Sequence, residues 1–121
     1  KHVTGRLHRG GVRLIAGTDA LGAPLIVPRV SLHDELQLLS DCGLSPYDVL
    51  RTATTNPATF LRRDREFGTI AVGKRADLLL VDGNPLQDLR VVRRPAGVMV
   101  RGRWLTREEL DQMLAAVVNK P

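Results

Sequence analysis

A nearly continuous apolar run over residues 12–16, broken only by Arg13, stops at Gly17 and is followed by the carboxylate of Asp19. Apolar runs without polar alternation are typical of parallel strands that helices cover on both faces. In α/β folds the chemistry lies at the carboxyl ends of such strands. The run therefore predicts a buried parallel strand over residues 12–18 and makes Asp19 the first candidate for a functional residue. The alternative is that Asp19 only caps a turn or a helix, as Asp often does after a strand.

Local patterns predict helices on either side of this strand. Residues 1–11 are expected to be the end of a helix that the Gly pair at its close terminates. Ser31 and Ser45 are each followed three residues later by an Asp. This spacing starts helices, because the Ser hydroxyl accepts a hydrogen bond from an otherwise free backbone N–H. A short helix is predicted to begin at Asn56-Pro57, and the helices near residues 45–61 are expected to provide packing rather than chemistry.

The segment that connects the predicted strand to the Ser31 helix carries one Gly and two Pro within residues 20–30, which predicts a loop on the same side as Asp19. Such loops shape the substrate pockets of barrel enzymes. His33 lies in the first turn of the following helix, so we expect it either to contact a substrate or to be an exposed or capping histidine. A zinc site built from histidines needs several that converge, and the chain has three His in all, with no His-x-His pair.

Beyond Glu66 the pattern changes to short apolar segments separated by Gly. These predict β-strands, which we expect over residues 68–70, 77–82, 96–101 and 103–105. The run over residues 78–81 has no polar alternation, so both of its faces are expected to be covered. Thr106 and Glu109 have the spacing of a capping box, which predicts a last helix.

Composition excludes several classes of protein. The formal net charge of +5 comes from 18 Lys and Arg against 13 Asp and Glu, but the cations are scattered and aromatic residues are 3% of the chain, which argues against binding to nucleic acid. Cys42 is the single cysteine, so the chain cannot form an internal disulfide. The absence of an apolar run of membrane-spanning length argues against a membrane protein. We therefore expect a cytoplasmic protein.

Six short motifs in order give the sequence a resemblance to the amidohydrolase superfamily, of the imidazolonepropionase-like or prolidase-like kind. They are Gly17-Thr18-Asp19-Ala20, Ser31-Leu32-His33-Asp34-Glu35-Leu36, Gly43-Leu44-Ser45-Pro46, Ala53-Thr54-Thr55-Asn56-Pro57-Ala58, Gly68-Thr69-Ile70-Ala71-Val72-Gly73-Lys74-Arg75-Ala76-Asp77-Leu78 and Asp82-Gly83-Asn84-Pro85-Leu86. The resemblance implies an α/β fold: the last strand and helices of a (β/α)8 TIM-type barrel, plus the C-terminal strands of a small composite β-sandwich. A complete barrel needs about 250 residues. With 121 residues, the chain is expected to be a C-terminal fragment of the full fold.

The same resemblance implies a site. The aspartate that ends the eighth barrel strand of the family is a metal ligand and general base, and this role falls on Asp19. His33 becomes a candidate for substrate binding. The cofactor implied is a divalent metal, with zinc expected, in the intact enzyme. The family's other ligands, histidines on three strands and often a carboxylated lysine, have no counterpart in this chain, so the fragment is expected to retain no metal and to be inactive alone.

These observations predict three parts and two possible functions. Residues 1–66 are expected to be the end of the hydrolase barrel, residues 67–105 part of the β-sandwich, and residues 106–121 a C-terminal helix. The first function is metal-dependent hydrolysis of a carbon–nitrogen bond in a small molecule, such as a cyclic amide, an imidazolone or a dipeptide. The second is a non-catalytic structural or assembly module. Because the predicted strands lack neighbours, we expect a homo-oligomer or association with a missing N-terminal part.

Overall fold

The computed structural model describes residues 2–19 and 30–118, so the predicted loop over residues 20–30 lies outside the described residues except for its last position. Helices dominate the first half and short strands the second. In chain order the elements are α1 (His2–Arg9), α2 (Val30–Asp41), α3 (Pro46–Ala53), α4 (Thr55–Phe60), β1 (Leu78–Leu80), a 3-10 helix (Leu89–Arg93), β2 (Gly97–Val100), β3 (Arg103–Thr106) and α5 (Arg107–Val118).

Local hydrogen bonds confirm two of the predicted helix starts. The Ser45 hydroxyl accepts from the backbone N–H of Asp48 at 3.1 Å, with Pro at the first position of α3. At α5, the N–H of Glu109 donates to the Thr106 hydroxyl and the N–H of Thr106 donates to the Glu109 carboxylate, which completes the capping box. Helix α2 instead begins at Val30, so Ser31 lies inside its first turn rather than at the N-cap.

The three strands form one antiparallel sheet in the order β1-β2-β3. Strands β2 and β3 are joined by Arg101 and Gly102, whose φ angles of 49° and 83° are both left-handed. Two left-handed residues form the type I′ turn that matches the twist of a hairpin, and Gly adopts this conformation at little cost. The predicted turn at Gly102 and the strands on either side of it are thereby confirmed.

Two predictions about the β-rich part are wrong. Residues 68–70 form no strand and lie instead in a loop that the Arg75 N–H closes by donating to the Glu66 carbonyl at 2.8 Å. The run over residues 78–81 is not covered on both faces, since Leu79 and Leu80 are 48% and 54% exposed. An apolar run is buried only where a second layer lies against it. No described element covers these two side chains.

The predicted strand over residues 12–18 is also corrected, since this segment has no strand pairing with any described residue. A parallel strand exists only with a neighbour that completes its ladder of hydrogen bonds. Burial nevertheless alternates along the segment: Leu14, Ala16 and Thr18 are partly buried, whereas the residues between them are exposed. This period of two is that of a strand with one covered face.

The core lies where α2, α3 and the 3-10 helix meet. Its buried members are Leu36, Leu39, Leu44, Val49, Leu89 and Val92, with Leu14 and Ala16 packed against them. Val49 is fully buried, and the 3-10 helix is capped by Asp88, whose carboxylate accepts from the N–H of Arg90. The residues before Asp19 are thereby attached to the best-packed part of the molecule.

We expect Leu44→Ala to lower the free energy of unfolding by about 2 to 5 kcal/mol, because Leu44 is 4% exposed and its removal leaves a cavity. The matched control is Leu38→Ala on the 48% exposed Leu38, which should change stability by less than about 0.5 kcal/mol. Urea denaturation of the two variants measures both values. Equal losses would contradict this location of the core.

Candidate functional site

Asp19 lies at the exposed end of the segment whose even-numbered residues face the core. Its side chain is exposed and its φ of 47° is left-handed, a conformation that Asp tolerates better than most residues. Leu14 and Ala16 pack against the core, whereas Ile15 and Asp19 are exposed. The carboxylate is therefore available to a ligand and is not used in the packing of the core.

Two hydrogen bonds attach this segment to the helices. The Asn56 side-chain Nδ2 donates to the Leu14 carbonyl at 2.8 Å, and the Ala16 N–H donates to the Thr52 carbonyl at 3.0 Å. Asn56 lies in the first turn of α4 and Thr52 near the end of α3. The sequence interpretation missed this role of Asn56, which it had assigned to packing, because nothing local connects it to a residue 42 positions earlier.

His33 lies against the 3-10 helix. Its Nδ1 is buried without a hydrogen-bond partner, and Arg93 of the 3-10 helix forms an ion pair with the neighbouring Asp34. Burial lowers the pKa of the His33 imidazole below its usual value of 6.5, the positive charge of Arg93 lowers this pKa further, and Asp34 raises it in part. These effects favour the neutral imidazole.

The structure does not bring Asp19 and His33 into one of the cavities that His33 lines. His33 borders one cleft of about 310 Å³ against Leu89 and Val92 and another of about 450 Å³ against α5. Asp19 is among the lining residues of neither. The role of His33 in substrate binding stays a prediction, and the described residues give it no shared pocket with Asp19.

A second polar cluster lies near the beginning of the segment. His8 Nε2 lies 3.6 Å from the Asp48 carboxylate, which also accepts from the Ser45 hydroxyl and lies 3.8 Å from Arg51. His8, Asp48 and Arg51 border a cleft of about 250 Å³. Asp48 is already the acidic residue of the first turn of α3, so this cluster is explained by helix capping and by the attachment of α1.

A metal site needs several donor side chains that converge on one point. Among residues 2–19 and 30–118, no three His, Cys, Asp or Glu side chains converge on one point. Asp19 supplies a single carboxylate, and a protein zinc site ordinarily has three or four ligands. The described residues therefore do not fit a metal ion by themselves.

Within the same residues, no helix is both long and apolar enough to cross a bilayer.

A comparison with known protein families shows to which family the chain belongs. The model of the Amidohydrolase family matches residues 1–105, which is most of the sequence, and the chain belongs to this family. The resemblance drawn from the six motifs is thereby confirmed.

Individual relatives agree with this assignment. Adenine deaminase 4 of Rhizobium meliloti (strain 1021) is 36% identical over 74 residues, 61% of this chain and 12% of that protein. The crystal structure of a provisionally assigned prolidase from Bifidobacterium longum superposes with a TM-score of 0.76 at 34% identity, over 95% of this chain and 30% of that one. A Xaa-Pro dipeptidase with bound methionine in its active site gives a TM-score of 0.75 at 27% identity, over 86% and 25%.

These structures show an amidohydrolase-like α/β fold. The chain spans about an eighth of the length of the curated relative and less than a third of each solved chain. The complete barrel, the composite sandwich and the division at residues 66 and 105 stay predictions.

We expect the His33 imidazole to titrate below its usual pKa of 6.5, for the reasons of burial and charge given above. Because the unfolded chain then binds the proton more tightly, the His33 contribution to stability is present above about pH 6.5 and is lost as the pH falls through the lower pKa of the folded state. NMR titration of the His33 ring measures that pKa.

The variant Arg93→Gln should raise the pKa of His33, since it removes the second cause of the shift. The control is Arg63→Gln, which removes an arginine paired with Glu66 instead and should leave His33 unchanged. A His33 pKa at or above the usual value, or equal responses to both substitutions, would contradict this description of the cleft.

Proposed function

We propose that the protein carrying this chain is a hydrolase of carbon–nitrogen bonds in which Asp19 accepts the proton of the attacking water. The observation that carries the proposal is the position of Asp19, exposed at the end of a segment that the core holds by its other side, in a chain of the Amidohydrolase family. An exposed carboxylate is open to a water molecule or a substrate, which supports a role in proton transfer.

The chemical need is a group that moves one proton between two partners. Attack of water on the carbon of a C–N bond releases a proton, and the leaving nitrogen must take one up before the bond breaks. Asp19 can accept the first proton on a carboxylate oxygen and give it to the nitrogen. The inward-facing Leu14 and Ala16 have no such capacity. We propose Asp19 as a catalytic residue that this chain contributes.

The proposal includes a divalent metal ion, of which this chain would provide one ligand. The family generally depends on divalent metal ions, but the described residues offer the single carboxylate of Asp19. We propose that Asp19 is one ligand of such an ion, with zinc as the expected metal, and that the remaining donors come from outside the described residues.

A metal analysis checks this division of ligands. The isolated 121-residue chain, after dialysis against zinc and then metal-free buffer, should hold far less than one ion per chain, because a single carboxylate binds weakly. Elemental analysis gives the ratio, with Asp19→Asn as the control for loss of that carboxylate. Retention of one ion per chain that Asp19→Asn abolishes would show a fuller site than we propose.

For the substrate we propose a small molecule with a C–N bond, a cyclic amide, an imidazolone or a proline dipeptide. A second candidate is adenine, because an adenine deaminase is among the relatives of this chain. Both reactions need the same proton transfer, so the role of Asp19 does not depend on the choice. An Xaa-Pro dipeptide and adenine assayed side by side separate them.

In a catalytically active protein that contains this chain, Asp19→Asn should keep the fold and lower kcat by about 10² to 10⁴, because the amide cannot accept a proton. The control is Asp82→Asn, the same change at an exposed Asp after β1. Steady-state kinetics on the active substrate measures both. Near-normal turnover of the Asp19→Asn variant would show that Asp19 is a turn residue without a catalytic role.

The alternative function, a non-catalytic assembly module, is favoured by the apolar side chains that the β-rich part exposes. Ile70 and Val72, in the loop before β1, are 87% and 107% exposed, and Leu79 and Leu80 of the edge strand β1 are 48% and 54% exposed. Apolar groups exposed on an edge strand or in a loop favour association. We propose that the isolated chain self-associates through them.

Sedimentation of the 121-residue chain tests this association. The wild type should form dimers or larger species at tens of micromolar, and a double change of Ile70 and Val72 to Ser should shift it toward monomer. A monomeric wild type at high concentration would contradict it. The hydrolase proposal does not depend on the result.

A further inference from the structure

Asn56 makes a contact that its position in a short helix does not require. Its Nδ2 donates to the Leu14 carbonyl at 2.8 Å across 42 residues of sequence, in a partly buried place. Helix α4 spans only Thr55–Phe60, and its N-cap residue, Thr54, makes no side-chain capping hydrogen bond. The Asn56 side chain is thus directed away from its own helix and toward the segment that leads to Asp19.

The start of the segment is attached to α1, because the Val12 N–H donates to the Leu7 carbonyl at 3.0 Å. No described strand pairs with it farther along, where Leu14 and Ala16 pack against the core through apolar side chains. Hydrogen bonds are directional, whereas apolar contact is not. The Asn56–Leu14 bond and the Ala16–Thr52 bond together define where the backbone stands three to five residues before Asp19.

We propose that Asn56 is a positioning residue for Asp19. This positioning role rests on the proposed function, because Asn56 would hold the proton-accepting carboxylate of Asp19 in place. Asn56 touches the backbone and not the substrate. Its effect reaches the reaction through Leu14, Ala16 and the turn at Asp19, where a displacement of about 1 Å is enough to cost about 10² in rate.

The chemistry of position 56 gives a selective test. Aspartate has the shape of asparagine but, when ionised, only accepts hydrogen bonds, so Asn56→Asp sets a carboxylate against the Leu14 carbonyl. Residue 56 is in the first turn of α4, where a negative charge suits the helix dipole. Asn56→Asp therefore leaves the helix itself favoured and removes only the contact with the segment.

Asn84 offers a matched control. Its Oδ1 accepts from the Leu86 N–H at 3.0 Å, so Asn84→Asp makes the same isosteric change of charge and keeps its hydrogen bond. The pair Asn56→Ser and Asn56→Ala offers a second comparison, since both shorten the side chain and only serine keeps a donor.

The first measurement is hydrogen exchange at the Ala16 amide in the 121-residue chain, which needs no activity. Asn56→Asp should speed exchange there about tenfold or more, because the lost contact frees the segment from the Thr52 carbonyl as well. Asn84→Asp should not. Protection at Val49 in the core should persist in both. If Asn56→Asp unfolds the chain, Asn56→Ser should still protect Ala16 better than Asn56→Ala.

The second measurement is kinetics in the catalytically active protein. Asn56→Asp should lower kcat by about 10² with a smaller change in KM, Asn84→Asp should leave both unchanged, and Asn56→Ser should retain more kcat than Asn56→Ala. A purely structural role would reduce the amount of folded enzyme without changing the kcat of the folded fraction.

The outcomes separate the two proposals. Unchanged exchange at Ala16 in Asn56→Asp would overturn the positioning role, whatever the kinetics. Faster exchange with unchanged kcat, in a protein that Asp19→Asn inactivates, would overturn it as well and leave the proposed function standing. Full activity of Asp19→Asn would refute the proposed function, and the positioning role would then fall with it.

Discussion

The contact between the helical core and one side of residues 14–19 is the constraint on which the candidate site depends. Apolar packing and hydrogen bonds both contribute here, since a fully buried leucine-sized side chain is worth about 1.5 to 3 kcal/mol, the partly buried Leu14 less, and a typical hydrogen bond a net value of about 0.5 to 1.5 kcal/mol. Packing holds Leu14 and Ala16 to the core. The hydrogen bonds from Asn56 and to Thr52 are directional and fix the position of the two residues along the core.

Because the residues before Asp19 make the contacts with the core, Asp19 can be exposed while its backbone is held in position. A catalytic carboxylate buried in the core would lose hydration and resist ionisation. Here the inward-facing residues before Asp19 carry the packing, and the carboxylate lies on the open side. Any substrate, metal ion or further part of the protein would approach from that side.

Much of the fold could be predicted from the sequence where the cause is local. The Ser45 cap and the Thr106–Glu109 capping box each act over three residues, and the turn at Gly102 depends on two. Asp19 was chosen as a candidate from another local pattern, an apolar run that stops at Gly and Asp, and its role in catalysis stays a prediction. Such patterns carry their own physical reason, since the interacting groups are neighbours in the chain.

Predictions failed where the cause lies elsewhere in the molecule. The strand over residues 12–18 needs a pairing partner, and the burial of Leu79 and Leu80 needs a covering layer, so neither follows from its own residues. The 3-10 helix that carries Leu89 and Val92 into the core was not predicted at all. The Asn56–Leu14 bond joins residues 42 positions apart, so no local sequence pattern predicts it.

The most direct test of the account is a crystal structure of a catalytically active protein that contains this chain, bound to an unreactive analogue of the attacked C–N substrate. The account predicts an Asp19 carboxylate oxygen about 2.6 to 3.2 Å from the analogue oxygen that stands for the attacking water. It also predicts that the Asn56–Leu14 bond is intact. A carboxylate turned away from the analogue, with another side chain in hydrogen-bond contact with that oxygen, would contradict the account.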